Sequence, residues 1–162
     1  MSHHRIIGID PGLVSTGWGI IESRGSALSF IGCGTIAPKT TLPLSERLLV
    51  LHRELTLIIA QHQPGSAAIE ETFVTANGAS TLKLGQARGA LIVTLSASGL
   101  SVAEYATRKV KKAIVGTGTA DKNQMGQMVG VLLPAARTAL AACKHDAADA
   151  LAIAICHAHH YR

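Results

Sequence analysis

Three cysteines, Cys33, Cys143 and Cys156, are all the chain carries, and no two are spaced as CxxC. An odd number without that spacing argues against a disulfide framework and against a zinc site, so all three are expected to be small core residues. Long apolar runs are also missing. Although 48% of the 162 residues are hydrophobic, no stretch approaches the ~20 uninterrupted apolar residues of a membrane span. The opening MSHHR lacks the apolar region of a targeting peptide. A soluble, cytoplasmic protein without a membrane partner is expected. Repeats are absent and no linker is long enough to divide the chain, so residues 1–162 are read as a single domain. Acids are scarce too: ten Asp and Glu face fifteen Lys and Arg, for a net charge of +5. That balance favours a polyanionic partner, nucleic acid first.

What is present reads as alternating elements. RIIGID (5–10), GWGIIES (17–23) and ALSFIGCGTI (27–36) are strand-like and separated by Gly and Ser turn signals, as three short antiparallel strands would be. Leu48, Leu51, Leu55, Ile58 and Ile59 recur at helical spacing, with Ser45 as the expected cap and Pro64-Gly65 as the stop. AAIEE (67–71) reads as a buried strand, and a helix is predicted over about 77–98. A fifth strand follows at 100–106, then a short basic helix at 108–116, a helix at about 120–133, an Ala-rich loop at 134–142 and a last helix at about 145–159. Three strands, a helix, a strand, a helix and another strand describe an α/β fold, a five-stranded mixed β-sheet flanked by α-helices on both faces. The order is that of a ribonuclease-H-like fold.

Only four aspartates occur, Asp10, Asp121, Asp146 and Asp149, and three of them lie in apolar surroundings. An ionised carboxylate beside a core strand is costly unless something pairs with it. Asp10 ends one apolar strand and Glu70 ends another, so neighbouring strands would bring the two together. Asp146 and Asp149 are three apart and share one side of a helix in its first turn, where the helix dipole favours their charge. Four acids from three distant segments would repel one another unless cations neutralise them. Oxygen ligands without a Cys or His cage favour Mg²⁺ or Mn²⁺, and two such ions roughly 3.5–4 Å apart suit phosphodiester hydrolysis. Other readings stand beside this one. Asp10 before Pro-Gly is also a turn former, Asp146 a helix cap and Asp149 a first-turn acid. Glu71 competes with Glu70, and strand alternation sends the two to opposite sides. His145 is a further candidate for assisting the cluster, its alternative being an exposed first-turn residue.

Taken together, IIGIDPGLVSTGWGII, AAIEETFVTAN, STLKLGQARGALIV, KVKKAIVGTGTADKNQM and HDAADALAIAICH resemble the RuvC family of Holliday-junction resolvases, in the same order from Arg5 to about His157. The resemblance implies a ribonuclease-H-like homodimer in which each subunit cuts one of two like strands of a four-way DNA junction, in recombination and repair. It implies that Asp10, Glu70, Asp146 and Asp149 are the catalytic and metal-binding acids, holding Mg²⁺, with Mn²⁺ able to substitute. It further implies that Lys111 and Lys122 approach the scissile phosphate, that Phe73 meets an unpaired base at the junction centre, and that a RuvA–RuvB branch-migration complex is a partner. RKVKK is the densest positive run, as phosphate contacts need, and an exposed aromatic suits base stacking. A solvated helix face and a core anchor are the plainer readings of those lysines and of Phe73.

Two rival functions remain. A binding module for branched DNA would gain nothing from four acids near phosphates. A related ribonuclease-H-like nuclease acting on RNA is separated from the leading reading only by its substrate. A phosphotransferase of the actin and sugar-kinase type, suggested by IDPGLVSTG, needs two lobes, for which 162 residues are too few.

Overall fold

The computed structural model describes residues 3–72, 76–143 and 145–161. Strand β1 (His4–Asp10) lies at the centre of a five-stranded sheet. On one side it pairs antiparallel with β2 (Thr16–Arg24), which pairs antiparallel with β3 (Ala27–Ile36). On the other side it runs parallel to β4 (Ser66–Glu70), and β4 runs parallel to β5 (Ser101–Tyr105), giving the order β3-β2-β1-β4-β5. The predicted mixed sheet is therefore present.

Alternation along the strands makes two cores. Ile7, Ile9, Ile20 and Ile69 point to one side, where they bury Leu51, Leu55 and Ile59 of α1 (Leu44–His62) and Ala87, Leu91 and Leu95 of α2 (Gly78–Ala97). Ile6, Ile21 and Ala68 point the other way, against α6 (His145–His160), with α3 (Thr107–Val115) and α4 (Lys122–Leu132) completing that layer. Helix α6 is apolar all round its middle, with Ala150 through Cys156 all buried, as a helix sandwiched between sheet and further helices must be. It lies so close to the sheet that a Cβ on Gly8 would collide with the Ala150 carbonyl, and one on Gly17 with the Asp146 carbonyl. Glycine is needed at both positions to let the helix in.

The sequence reading departs from the structure at three places. Residues 134–142 are not a loop: Pro134–Ala136 forms a 3-10 turn and Arg137–Ala142 forms helix α5. Alanine loses no side-chain entropy on becoming helical and Pro suits the first position of a turn, so a short helix forms there without an amphipathic pattern. The cap of α1 is Pro43 rather than Ser45, which lies within the first turn. The helix ends in the left-handed Gln63, φ 48°, just before Pro64. Of the cysteines, Cys156 is buried but Cys33 and Cys143 are only partly so. Cys33 sits on an edge strand and Cys143 at the end of α5, both at the rim of the core.

Candidate active site

Asp10 and Glu70 are the last residues of adjacent parallel strands, each one position beyond the paired residues Ile9 and Ile69. The alternation that buries Ile9 and Ile69 under α1 and α2 turns both acids toward α6. It also decides between the two glutamates. Glu70 lines the pocket on the α6 side, whereas Glu71 is exposed and its N–H donates to the Tyr105 carbonyl at 2.9 Å. Asp146 and Asp149 stand in the first turn of α6, which Gly17 allows to lie directly against the sheet. Lys111 arrives on α3 and Lys122 opens α4 behind the capping box of Asp121 and Gln124. The six side chains line one pocket of about 270 Å³.

His145 is exposed at the start of α6 and outside the pocket lining, though its charge acts on Asp149. Phe73 lies outside the described residues. Sequence reasoning missed Thr107, whose hydroxyl faces Glu70 from the first residue of α3. No pattern in the chain marks it, because its role depends on Tyr105 ending β5 beside Glu70.

The electrostatics are those of acids held together against their preference. Burial, then the charges of Glu70, Asp149 and Asp146, push the Asp10 carboxyl up from 3.8 to about 8. Burial raises Glu70 as well, opposed by the hydrogen bond from Thr107 and the charge of Lys111. Asp149 is raised by burial, with Lys122 pulling the other way. A cation among them would favour the charged form of all three. One carboxylate oxygen each from Asp10, Asp146 and Asp149 lies within 4.8 Å of the others, the one group of three or more such ligands among the described residues. All three donors are hard oxygens, so the set fits a divalent cation of the Mg²⁺ or Mn²⁺ kind. Glu70 belongs to the pocket but not to this close triple.

A ribonuclease-H-like sheet ending in an acidic, cation-ready pocket flanked by lysines defines a class of metal-dependent nucleases. The family model for "Crossover junction endodeoxyribonuclease RuvC" matches residues 6–157. The chain is 57% identical over 156 residues to the Rhodopseudomonas palustris (strain BisA53) protein of that name, covering 96% of this chain and 87% of the relative. With the Azorhizobium caulinodans protein it shares 55%, over 96% and 90% of the two chains. Among solved structures it resembles Thermus thermophilus RuvC in complex with Holliday junction substrate, with a TM-score of 0.88, 30% identity and coverage of 98% and 95%. The yeast mitochondrial Holliday junction resolvase Ydc2 shares the fold at a TM-score of 0.71 and 14% identity. This chain belongs to the RuvC family of crossover junction endodeoxyribonucleases. Among the described residues, no helix is long and apolar enough to cross a membrane.

Proposed function

We propose that this chain is a structure-specific DNA endonuclease that resolves Holliday junctions in recombination and repair, as a homodimer making symmetric nicks in two like strands. The observation that carries this reading is the convergence of four carboxylates from three distant segments with Lys111 and Lys122 in one pocket. Residues 1–162 act as one nuclease domain, in the cytoplasm, alongside a RuvA–RuvB branch-migration complex.

Asp10, Glu70, Asp146 and Asp149 would hold the cations, which we take to be Mg²⁺ with Mn²⁺ able to substitute, two ions per site, with Asp10, Asp146 and Asp149 as the close triple. When bound, such ions polarise the scissile phosphate and lower the pKa of water. The chain itself supplies position. Lys111 and Lys122 would neutralise and orient the phosphate, since a substrate carrying negative charge cannot approach four acids unaided. Thr107 keeps Glu70 aimed into the pocket through its hydroxyl. Phe73 would stack on an unpaired base at the junction centre.

The test is a synthetic mobile four-way junction incubated with the purified protein and Mg²⁺, with nicks mapped on all four strands. The wild type should give paired symmetric nicks that vanish without Mg²⁺. Asp10→Asn should bind the junction as before and fail to nick it, because it removes a ligand and leaves the basic surface intact. Normal nicking by Asp10→Asn would refute the assignment. Cleavage of RNA in preference to the junction, or tight binding by the wild type without nicks, would move the chain to one of the rival readings.

A further inference from the structure

Arg88 sits midway along α2, where that helix turns from its sheet-facing side to its exposed side. Its side chain is 17% exposed. The Nε–H donates to the main-chain carbonyl of Glu70 at 2.9 Å, and a terminal nitrogen pairs with the Glu104 carboxylate. Glu104 lies opposite Ile69 in the β4–β5 ladder, next to the Glu70–Tyr105 pair. One guanidinium therefore spans the ends of two parallel strands. Immediately beyond, the Glu71 N–H donates to the Tyr105 carbonyl, so the point where the chain leaves β4 is fixed from both sides.

An exposed ion pair would not by itself explain this arrangement. Glu104 is 50% exposed, and pairs of that kind stabilise by only about 0–1 kcal/mol. The bond to the Glu70 carbonyl is of another sort, because it acts on the main chain of an acid whose carboxyl is hydrogen-bonded to that of Asp10. A planar fork can bond a carbonyl and a carboxylate at once from fixed directions, whereas the single ammonium of a lysine cannot reproduce that geometry.

We propose that Arg88 is a positioning residue of the acidic site, fixing the Glu70 main chain from α2 and so setting the direction of its carboxylate. The inference rests on the reading of the four-acid pocket as the active site. Catalytic groups need placement within about 0.5 Å, and that precision comes from neighbours that lock them.

The test uses Arg88→Met, Arg88→Lys and Glu104→Gln in the full chain. Four quantities are measured: single-turnover nicking of the four-way junction across Mg²⁺ concentrations, junction binding without Mg²⁺, Mg²⁺ binding to the protein alone by calorimetry, and amide exchange. Arg88→Met should slow nicking by about ten- to a hundredfold, the cost expected of a misplaced group. It should also weaken Mg²⁺ binding while leaving junction binding unchanged. Exchange should quicken at the Glu71 amide and not at Ile7 or Ile69 in the core. Arg88→Lys should stay slow, and Glu104→Gln, which keeps an acceptor for the guanidinium, should cleave close to the wild-type rate. Wild-type nicking and Mg²⁺ binding by Arg88→Met would overturn the proposal, as would full recovery by Arg88→Lys. Should Arg88→Met lose core protection everywhere, the folded Arg88→Lys protein decides: slow nicking supports the role and wild-type nicking overturns it. Asp10→Asn serves as the control, since nicking by that variant would sink the pocket reading instead.

Discussion

At Asp10 the chain places an acid where burial and three neighbouring carboxyls all oppose its ionisation, so its folded pKa, about 8, lies above the ordinary 3.8. A raised carboxyl pKa favours folding below about pH 4 and loses that contribution as the pH rises through 8. Asp10→Asn should therefore stabilise the metal-free protein at pH 8 by about 1–2 kcal/mol and have no such effect at pH 4, while abolishing any Mg²⁺-induced rise in melting temperature. Thermal melts at both pH values, with and without Mg²⁺, check this. His157 shows the opposite sign. It is buried near the end of α6, its Nδ1 bonded to the Tyr105 hydroxyl at 2.9 Å and its Nε2 to Ser66 Oγ at 3.2 Å, and Ser66 bonds His4 in turn. Burial, with the charges of His4 and His160, lowers its pKa from 6.5 to about 4. Protonation thus favours the unfolded chain, so stability should be complete above about pH 6.5 and fall by up to about 3 kcal/mol as the pH drops to 4. His157→Gln should flatten that part of the pH–stability profile, measured by denaturant titration.

The element that brings the site together is α6, and its position depends on residues with no side chain. Gly17 accepts the first turn of α6 so closely that Gly17→Ala must push Asp146 away from Asp10. We expect a loss of about 1–3 kcal/mol in stability together with a disproportionate loss of nicking, read by comparing single-turnover rate with melting temperature. The acids themselves were legible in the sequence because burial of a carboxylate contradicts the usual pattern, while period-two alternation separated Glu70 from Glu71 without saying which turns inward; the family resemblance pointed to Glu70, the one that lines the pocket. Helix spacing likewise placed Asp146 and Asp149 on one side. The contributions of Thr107 and Arg88 were not legible. Thr107 reaches Glu70 by way of the β4–β5 pairing and Arg88 reaches it directly from α2, and contacts between segments so far apart in the chain leave no local mark. Helix α5 was missed because its alanines have helical propensity without periodicity, and the His157 network because its four members, His4, Ser66, Tyr105 and His157, come from four separate segments.

For the whole molecule, the unresolved demand of the chemistry is symmetry. One pocket cuts one strand, so paired nicks in like strands require two pockets related by a two-fold axis, and a closed dimer supplies it. In the proposed homodimer, helix α2 would offer the surface. Leu82 and Val93 are 65% and 66% exposed, and Gly85 and Gly89 between them face open space. The spacings of three, four and four residues align all four along one stripe of the helix, on the side away from its buried Ala87, Leu91 and Leu95. Two such stripes could approach closely, since the glycines remove the side chains that would hold the helices apart. Arg88 adjoins this stripe, so packing there would also steady the contact to Glu70. Val93→Glu should leave the fold intact, because Val93 is already exposed, and should convert the protein to a monomer in sedimentation experiments. The monomer should keep metal-dependent nicking at a reduced rate but lose the pairing of nicks between like strands. A Val93→Glu protein that stays dimeric and still makes paired nicks would place the two-fold axis on another surface.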